Sequence, residues 1–172
     1  MAIDVGTTAP DFTLKTQDEK EWKLSDHKGK NVVLLWYPLD WSPTCEKENC
    51  KISKDPVMFG SDTVVVGISR DSTWSHKAWK DAKGLEHDLL ADPLLEVTAK
   101  FGLVHPAKFI SHRATVVIDK TGKVAFADIQ EKTGEERIET QRVVPSGFLI
   151  RTSCSKSLPL SNDFSQKLKK VA

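Results

Sequence analysis

One short segment of the chain combines the residue types of a nucleophilic site. Pro38, Ser42 and Cys45 follow an apolar run that ends at Tyr37. Few helix breakers occur between residues 45 and 55, which predicts a helix beginning at the cysteine. The first turn of a helix offers N–H groups without intrahelical partners and the positive end of the helix dipole. Both favour the thiolate, the nucleophilic form of cysteine, so the segment predicts a reactive Cys45.

Two other residues are candidates to assist this cysteine. Ser42 stands three residues before it and can place a hydroxyl against the sulfur or a substrate. Arg113 opens a predicted strand that can lie alongside, where its guanidinium would add fixed positive charge. A lone cysteine is usually a small buried hydrophobe, and a lone arginine is usually an ion-pair partner. The prediction of chemistry therefore depends on the combination.

The two remaining cysteines differ in what their positions predict. Cys50 lies five residues after Cys45, so in a regular helix their Cα atoms are about 8.6 Å apart. A disulfide ordinarily needs less than about 7 Å, so these two can pair only if the first helical turns unwind. Cys50 can instead simply pack. Cys154 stands in a polar tail with no predicted role. If Cys50 does not pair with Cys45, Cys154 or an external thiol would be the pairing partner instead.

The segments around these residues predict an α/β fold. Continuous apolar runs at 31–37 and 62–69 predict strands that are buried on both faces. Short alternating segments at 12–15 and 21–24 predict an N-terminal β-hairpin, and 113–119 with 123–129 predict a second one. Helices are predicted at 73–83, capped by Ser72, and after Asp92-Pro93, with a short strand at 88–91 between them. This order implies a mixed central sheet flanked by helices.

Burial is predicted for four tryptophans in these elements: Trp36, Trp41, Trp74 and Trp79. Trp41 alternatively lines a substrate pocket, because it stands in the loop before Cys45. His76 is predicted to be a surface residue of its helix.

Length, charge and cysteine count limit the classes of protein to which the chain can belong. The chain has 172 residues and a net charge of +1, with three cysteines. This length predicts a main domain, at 1–138, with a basic extension at 139–172 that ends in a helix capped by Asn162. Balanced charge argues against nucleic acid or an anionic membrane as partner, and an odd, low cysteine count argues against a disulfide scaffold. No signal peptide, membrane span, metal-binding or nucleotide-binding motif is found, which predicts a cytoplasmic protein without metal or cofactor.

The motif around Cys45 resembles that of the peroxiredoxin family, of the alkyl hydroperoxide reductase and thiol-specific antioxidant type. The pattern Pro-x-x-x-Thr/Ser-x-x-Cys is matched by Pro38, Ser42 and Cys45, with Glu48 at the acidic position three residues later. The segment from Ser111 through Arg113 to Asp119 resembles the arginine signature of the family. The resemblance covers residues 5–137 and implies a thioredoxin-like fold. The place of Cys50 is similar to that in the bacterioferritin-comigratory type.

This resemblance implies a thiol peroxidase that reduces hydrogen peroxide and organic hydroperoxides. Cys45 would be the peroxidatic cysteine, Ser42 and Arg113 would hold the peroxide oxygens, and Pro38 would shield the resulting sulfenate. Cys50 would resolve the sulfenate through an intramolecular disulfide, and thioredoxin or a similar dithiol would reduce it. Glu48 either binds Arg113 or is a solvated helix charge. A monomer and a homodimer built through active-site loops both agree with the sequence.

Two other functions compete with this one. A thioredoxin-type thiol–disulfide oxidoreductase would share the fold, but its Cys-x-x-Cys motif is missing from the helix start. A non-enzymatic redox sensor or holdase would use oxidation of Cys45 as a signal. Insulin reduction without peroxide would favour the former, and oxidation without turnover the latter.

Overall fold

The computed structural model describes residues 3–54 and 62–130, together with the backbone of 140–143 and 149–152. The strands are β1 (Thr13–Thr16), β2 (Glu21–Lys23), β3 (Asn31–Trp36), β4 (Thr63–Ser69), β5 (Asp88–Ala91), β6 (Arg113–Ile118), β7 (Val124–Gln130), β8 (Thr140–Val143) and β9 (Leu149–Thr152). The helices are α1 (Pro43–Lys54), α2 (Thr73–Lys83) and α3 (Glu96–Lys100), and a 3-10 turn spans Leu24–His27.

Seven strands form one mixed sheet in the order β2-β1-β5-β4-β3-β6-β7. Strands β3, β4 and β5 are parallel, and the other pairings are antiparallel. The predicted α/β fold with a mixed central sheet, the N-terminal hairpin and the second hairpin is therefore confirmed. Strands β8 and β9 pair with each other in a separate antiparallel sheet.

Strand β3 lies near the middle of the sheet, and all of its residues are buried. Side chains alternate across a strand, so its residues divide between two cores. Val32, Leu34 and Trp36 pack in the core that includes Phe101, which follows α3. Val33 and Leu35 pack on the opposite face with Ile52 of α1. Burial on both faces explains the continuous apolar run, because no position of the strand contacts water.

Both predicted helices after β4 are present, but one begins later than expected. In α2, the Ser72 side chain accepts from the Ser75 N–H, as predicted for its cap. The prediction that Asp92-Pro93 opens a helix is wrong, because α3 begins at Glu96. The Asp92 carboxylate still accepts from the Thr98 N–H at 2.8 Å. It therefore satisfies an N–H group in the first turn of α3, although it lies in the preceding turn of the chain and not at the position next to the helix.

Two of the four tryptophan predictions are wrong. Trp36 and Trp79 are fully buried, whereas Trp74 is 77% exposed and Trp41 is 48% exposed. Trp74 and Trp79 are five residues apart on α2, which places them on different faces of the helix. Only one of the two can therefore face the sheet.

The predicted tail helix, Cys154 and most of the predicted extension lie outside the described residues. None of the helices within the described ranges has the length and apolar character needed to span a membrane.

Candidate active site

Cys45 lies in the first turn of α1, which follows the carboxyl end of β3 after the loop 37–42. The helix begins at Pro43, two residues earlier than predicted, and the Glu46 N–H bonds the Ser42 carbonyl at 2.9 Å. The cysteine side chain is buried, with 1% of its surface exposed, and packs among apolar residues of α2, β5 and the segments that follow β3 and α2. This cluster comprises Tyr37, Trp79, Leu85 and Leu89. The thiol is thus held in a low-dielectric pocket at the positive end of a helix.

Arg113 reaches this pocket because of the sheet topology. Strand β6 runs antiparallel to β3, and Ala114 pairs with Trp36, so β6 begins where β3 ends. The Arg113 Nη2 atom donates to Cys45 Sγ at 3.3 Å. Its Nη1 atom donates to the Glu48 carboxylate. One guanidinium therefore contacts both the sulfur and a carboxylate that lies one helical turn further along α1.

The three groups form a buried charged cluster. Arg113 is 3% exposed and Glu48 is 5% exposed. A buried guanidinium needs a counter-charge, and Glu48 supplies one. The planar fork of arginine can serve two acceptors at once, which a lysine cannot do with the same geometry. With Glu48 fixing the guanidinium, its second amino group is directed at the sulfur, where positive charge favours a thiolate.

The structure places the other predicted site residues around this cluster. Glu48 is buried against Arg113 and is not a solvated helix charge. The Ser42 hydroxyl donates to the Leu39 carbonyl at 3.1 Å, within the loop that precedes α1. Pro38 is half-buried at the beginning of this loop. Trp41 is half-exposed and has a positive φ of 60°, which is unusual for a residue other than glycine.

Cys50 also lies in α1, and both cysteines are free thiols. Its side chain is half-buried and borders the cluster around Cys45. Both belong to one regular helix, so their separation is that of an i,i+5 pair, and a disulfide between them requires local unwinding.

A second polar group, missed by the sequence analysis, surrounds Asp40 in the same loop. The prediction that His76 is a surface residue is wrong, since its side chain is fully buried and its Nδ1 lies 2.9 Å from Asp40 Oδ2. The Tyr37 hydroxyl donates to Asp40 Oδ1 at 2.8 Å. Burial, and then the neighbouring Asp40 carboxylate, raise the pKa of Tyr37 well above its usual range, which keeps this hydroxyl a donor.

A third set of contacts, also missed, joins α1 to the segment before β5. The Asn49 side chain donates to the Cys45 carbonyl at 2.9 Å, and its Oδ1 lies 2.9 Å from His87 Nε2. Ser53 Oγ lies 3.0 Å from His87 Nδ1. These contacts connect the segment before β5 to α1, along the turns that contain Cys45 and Cys50. No pattern in a single sequence connects His87 with Asn49, because the two are brought together only by packing.

Among the residues that the structure describes, no group of three or more His, Cys, Asp and Glu side chains is arranged to hold a metal ion. The polar group that contacts the Cys45 sulfur is the guanidinium of Arg113, at 3.3 Å.

Comparison with known proteins gives consistent matches. A family model described as the AhpC/TSA family matches residues 5–127. The chain is 32% identical over 139 residues to alkyl hydroperoxide reductase E of Mycobacterium tuberculosis, which covers 78% of this chain and 90% of that protein. It is 34% identical over 131 residues to peroxiredoxin Bcp of Bacillus subtilis, which covers 72% of this chain and 83% of that protein.

A solved structure agrees with these sequence matches. The crystal structure of peroxidoxin BcpB from Mycobacterium tuberculosis superimposes with a TM-score of 0.69 at 29% identity. The superposition covers 76% of this chain and 88% of that one. Both the sequence and the fold are thus similar to the same group of proteins over most of their length.

Proposed function

The chain belongs to the AhpC/TSA family of peroxiredoxins, which are thiol peroxidases, and we propose that Cys45 is its peroxidatic cysteine. The observation that carries this assignment is the 3.3 Å contact between Arg113 Nη2 and Cys45 Sγ. A buried thiol at a helix start, with a guanidinium beside it, has the environment of a reactive cysteine. A structural cysteine needs no such partner.

The first chemical step is attack of the Cys45 thiolate on one oxygen of the peroxide. An S–O bond forms and the O–O bond breaks, so the sulfur is oxidised to a sulfenic acid and the peroxide is reduced. The departing oxygen leaves with the electron pair of the O–O bond and takes up a proton, giving water or an alcohol. Negative charge moves from sulfur to this oxygen, so donors fixed beside it lower the barrier.

Arg113 is the proposed hydrogen-bond donor to the departing oxygen, because it already contacts the sulfur. Glu48 positions it by binding Nη1. Ser42 is the second proposed donor. Its hydroxyl, which bonds Leu39 here, would turn toward the bound peroxide. Pro38 and Trp41, in the loop that precedes α1, are proposed to limit the access of water and to line the approach of the peroxide.

Cys50 is the proposed resolving cysteine. Its thiolate attacks the sulfenic sulfur of Cys45, a disulfide forms, and water leaves. The first turns of α1 must open for this step, because an i,i+5 pair is too far apart in a helix. An external dithiol then exchanges with the disulfide and restores both thiols, itself becoming oxidised.

Thioredoxin or a similar dithiol is the proposed reductant, in the cytoplasm. Three cysteines in 172 residues are too few for a disulfide framework and agree with a compartment that keeps thiols reduced. The near balance of charge, +1 overall, supports partners other than nucleic acid or an anionic membrane. The proposed assembly is a monomer or a homodimer.

Peroxide consumption in the presence of a thioredoxin system tests the assignment. We expect Cys45→Ser to abolish turnover, and Cys50→Ser to react once with peroxide and then to turn over slowly or not at all with the dithiol. Unchanged turnover in Cys45→Ser would refute the proposal. Insulin reduction by the chain without peroxide would instead favour a thioredoxin-type oxidoreductase.

A further inference from the structure

Asp40 is a buried carboxylate in the loop between β3 and α1. None of its side chain is exposed. The Tyr37 hydroxyl donates to its Oδ1 at 2.8 Å, and the Ser75 hydroxyl donates to its Oδ2 at 2.8 Å. His76 Nδ1 lies 2.9 Å from Oδ2. Three donors, one from the same loop and two from α2, thus satisfy a group that would otherwise be costly to bury.

His76 makes polar contacts through Nδ1, which lies 2.9 Å from Asp40 Oδ2 and 3.5 Å from the Tyr37 hydroxyl. Its Nδ1 faces a carboxylate and therefore carries the hydrogen of the bond. Its Nε2 is buried without a hydrogen-bond partner among the described residues. The ring thus serves to hold Asp40.

The backbone of Asp40 is held as well. Its N–H donates to Asp71 Oδ2 at 2.8 Å, and the Ser69 hydroxyl donates to the same oxygen at 2.8 Å. Ser69 ends β4, and Asp71 lies in the turn before α2. The loop is therefore anchored to α2 through a side chain and to the β4–α2 turn through the main chain.

The residue after Asp40 is strained. Trp41 has a φ of 60°, in the left-handed region that favours glycine. A residue in this region costs on the order of 1 kcal/mol and persists only when its surroundings fix it. Trp41 is 48% exposed, so about half of the residue lacks packing that could hold this conformation. Its neighbour on the amino-terminal side, Asp40, is fixed through both its side chain and its main chain.

We propose that the Asp40–His76 pair positions the active-site loop for peroxide reduction by holding Trp41 in this conformation. The inference rests on the proposed function of Cys45. Ser42 follows the strained residue directly and accepts the first hydrogen bond of α1 through its carbonyl. Release of Asp40 would let this segment relax, and the donors around the peroxide would move away from the transition state. A displacement of about 1 Å at a reacting centre can lower a rate about 100-fold.

Two reactions of Cys45 separate positioning from other effects. Reduction of hydrogen peroxide requires donors at the departing oxygen, whereas alkylation by iodoacetamide requires only an accessible thiolate. We expect His76→Leu to lower the peroxide rate constant of Cys45 by about 10- to 100-fold, and the alkylation rate by no more than about twofold. We expect His76→Asn to recover most of the peroxide rate, because its amide nitrogen can donate from nearly the place of Nδ1.

A matched control addresses stability. Thr98→Val removes two buried hydrogen bonds, the one that Thr98 Oγ1 donates to Asp92 at 2.7 Å and the one that it accepts from Trp36 Nε1 at 3.2 Å, and neither involves a residue of the loop 37–42. It should lower the unfolding temperature and leave both rates within about twofold of the wild type. If His76→Leu does not fold, Ser75→Ala replaces it, since it removes one donor to Asp40. It is expected to reduce only the peroxide rate, by about three- to tenfold.

Three results would overturn the proposal. These are a wild-type peroxide rate in folded His76→Leu or in Ser75→Ala, an equal fall of both rates, and no recovery in His76→Asn. Failure of the underlying function looks different: wild-type Cys45 would then keep its thiol in hydrogen peroxide, before any variant is compared.

Discussion

At the scale of single residues, the geometry of one guanidinium determines the proposed chemistry. Arg113 bonds Glu48 with one amino group and Cys45 with the other. The carboxylate and the sulfur therefore share a counter-charge, and the orientation of the fork fixes where its positive charge lies. A point charge on a flexible chain would serve one of the two partners at a time.

Arg113→Lys tests this directly. The lysine retains the charge but loses the fork, so we expect the peroxide rate constant of Cys45 to fall by about 100-fold. The folded state should persist, because the ion pair with Glu48 can still form. Rapid-mixing kinetics with hydrogen peroxide measure the rate, and thermal unfolding checks the fold.

Arg70→Lys is the matched control for that substitution. Arg70 donates to the Phe109 carbonyl and lies over the Phe109 ring, in a contact that does not involve Cys45. Its replacement should leave the peroxide rate within about twofold of the wild type. If Arg113→Lys reacts as fast as Arg70→Lys, the fork geometry has no catalytic role.

Some residues of the site could be predicted from the sequence and others could not, for physical reasons. The motif pointed to Cys45 and Arg113, and the structure brings these two together. The error at His76 could have been avoided, because His76 and Trp79 are three residues apart and share a face of α2. A buried Trp79 therefore implied a buried His76. Asp40 gave no such signal, since burial of a loop carboxylate depends on donors that are distant in sequence.

At the scale of elements, the strands were predicted well and the attachment of α1 was not. Continuous apolar runs identify buried strands because both faces pack. By contrast, α1 has a mostly polar sequence and is attached by the Asn49–His87–Ser53 contacts. Such contacts leave no repeating pattern in the sequence from which they could be predicted. They oppose the unwinding that a disulfide between Cys45 and Cys50 requires.

His87→Ala should therefore accelerate disulfide formation. Loss of the contacts to Asn49 and Ser53 removes about 1 kcal/mol from the folded helix without changing the helical sequence, which corresponds to about a fivefold faster opening. Peptide mapping of samples quenched after peroxide addition measures the rate of the disulfide step. Hydrogen exchange of the α1 amides should rise in parallel.

The control for this variant is His27→Ala, another half-buried histidine, whose ring stacks on Trp22 of β2. It should leave both the disulfide rate and α1 exchange unchanged. Equal rates in the two variants would mean that the contacts of His87 do not restrain the helix.

Gly67 on β4 illustrates how closely the elements pack beneath the site. A Cβ added here would lie 2.8 Å from Leu89 Cδ2 and 3.1 Å from Tyr37 Cε1. We expect Gly67→Ala to lower the free energy of unfolding by about 1–3 kcal/mol, as measured by urea denaturation. Leu89→Val in the same chain should recover part of this loss, because it makes room for the added methyl group. Full additivity of the two changes would contradict the predicted contact.

At the scale of the whole molecule, the near balance of charge agrees with a small neutral substrate. The net charge of +1 provides little long-range attraction, and hydrogen peroxide has no charge to be attracted. The positive charge that matters is the buried guanidinium of Arg113, which salt screens weakly. The near balance of charge, which argued against a nucleic-acid partner, thus also agrees with a site whose positive charge is buried beside Cys45.

Ionic strength tests this view. The rate constant with hydrogen peroxide should change by less than about twofold between low salt and about 0.5 M sodium chloride. Alkylation by the anion iodoacetate, which senses the field of the protein, is the comparison reaction. A steep salt dependence with hydrogen peroxide itself would indicate that surface charges, rather than the buried cluster, determine the rate.

The central claim is that Cys45 is the residue that peroxide oxidises and that Cys50 resolves it. Trypsin cleaves after Lys47, so the two cysteines fall in separate peptides, 31–47 and 48–51. The most direct test is mass spectrometry of a tryptic digest after one equivalent of hydrogen peroxide. We expect these two peptides joined by a disulfide in the wild type, and a sulfenic acid on peptide 31–47 in Cys50→Ser. An unmodified peptide 31–47 in both proteins would contradict the account.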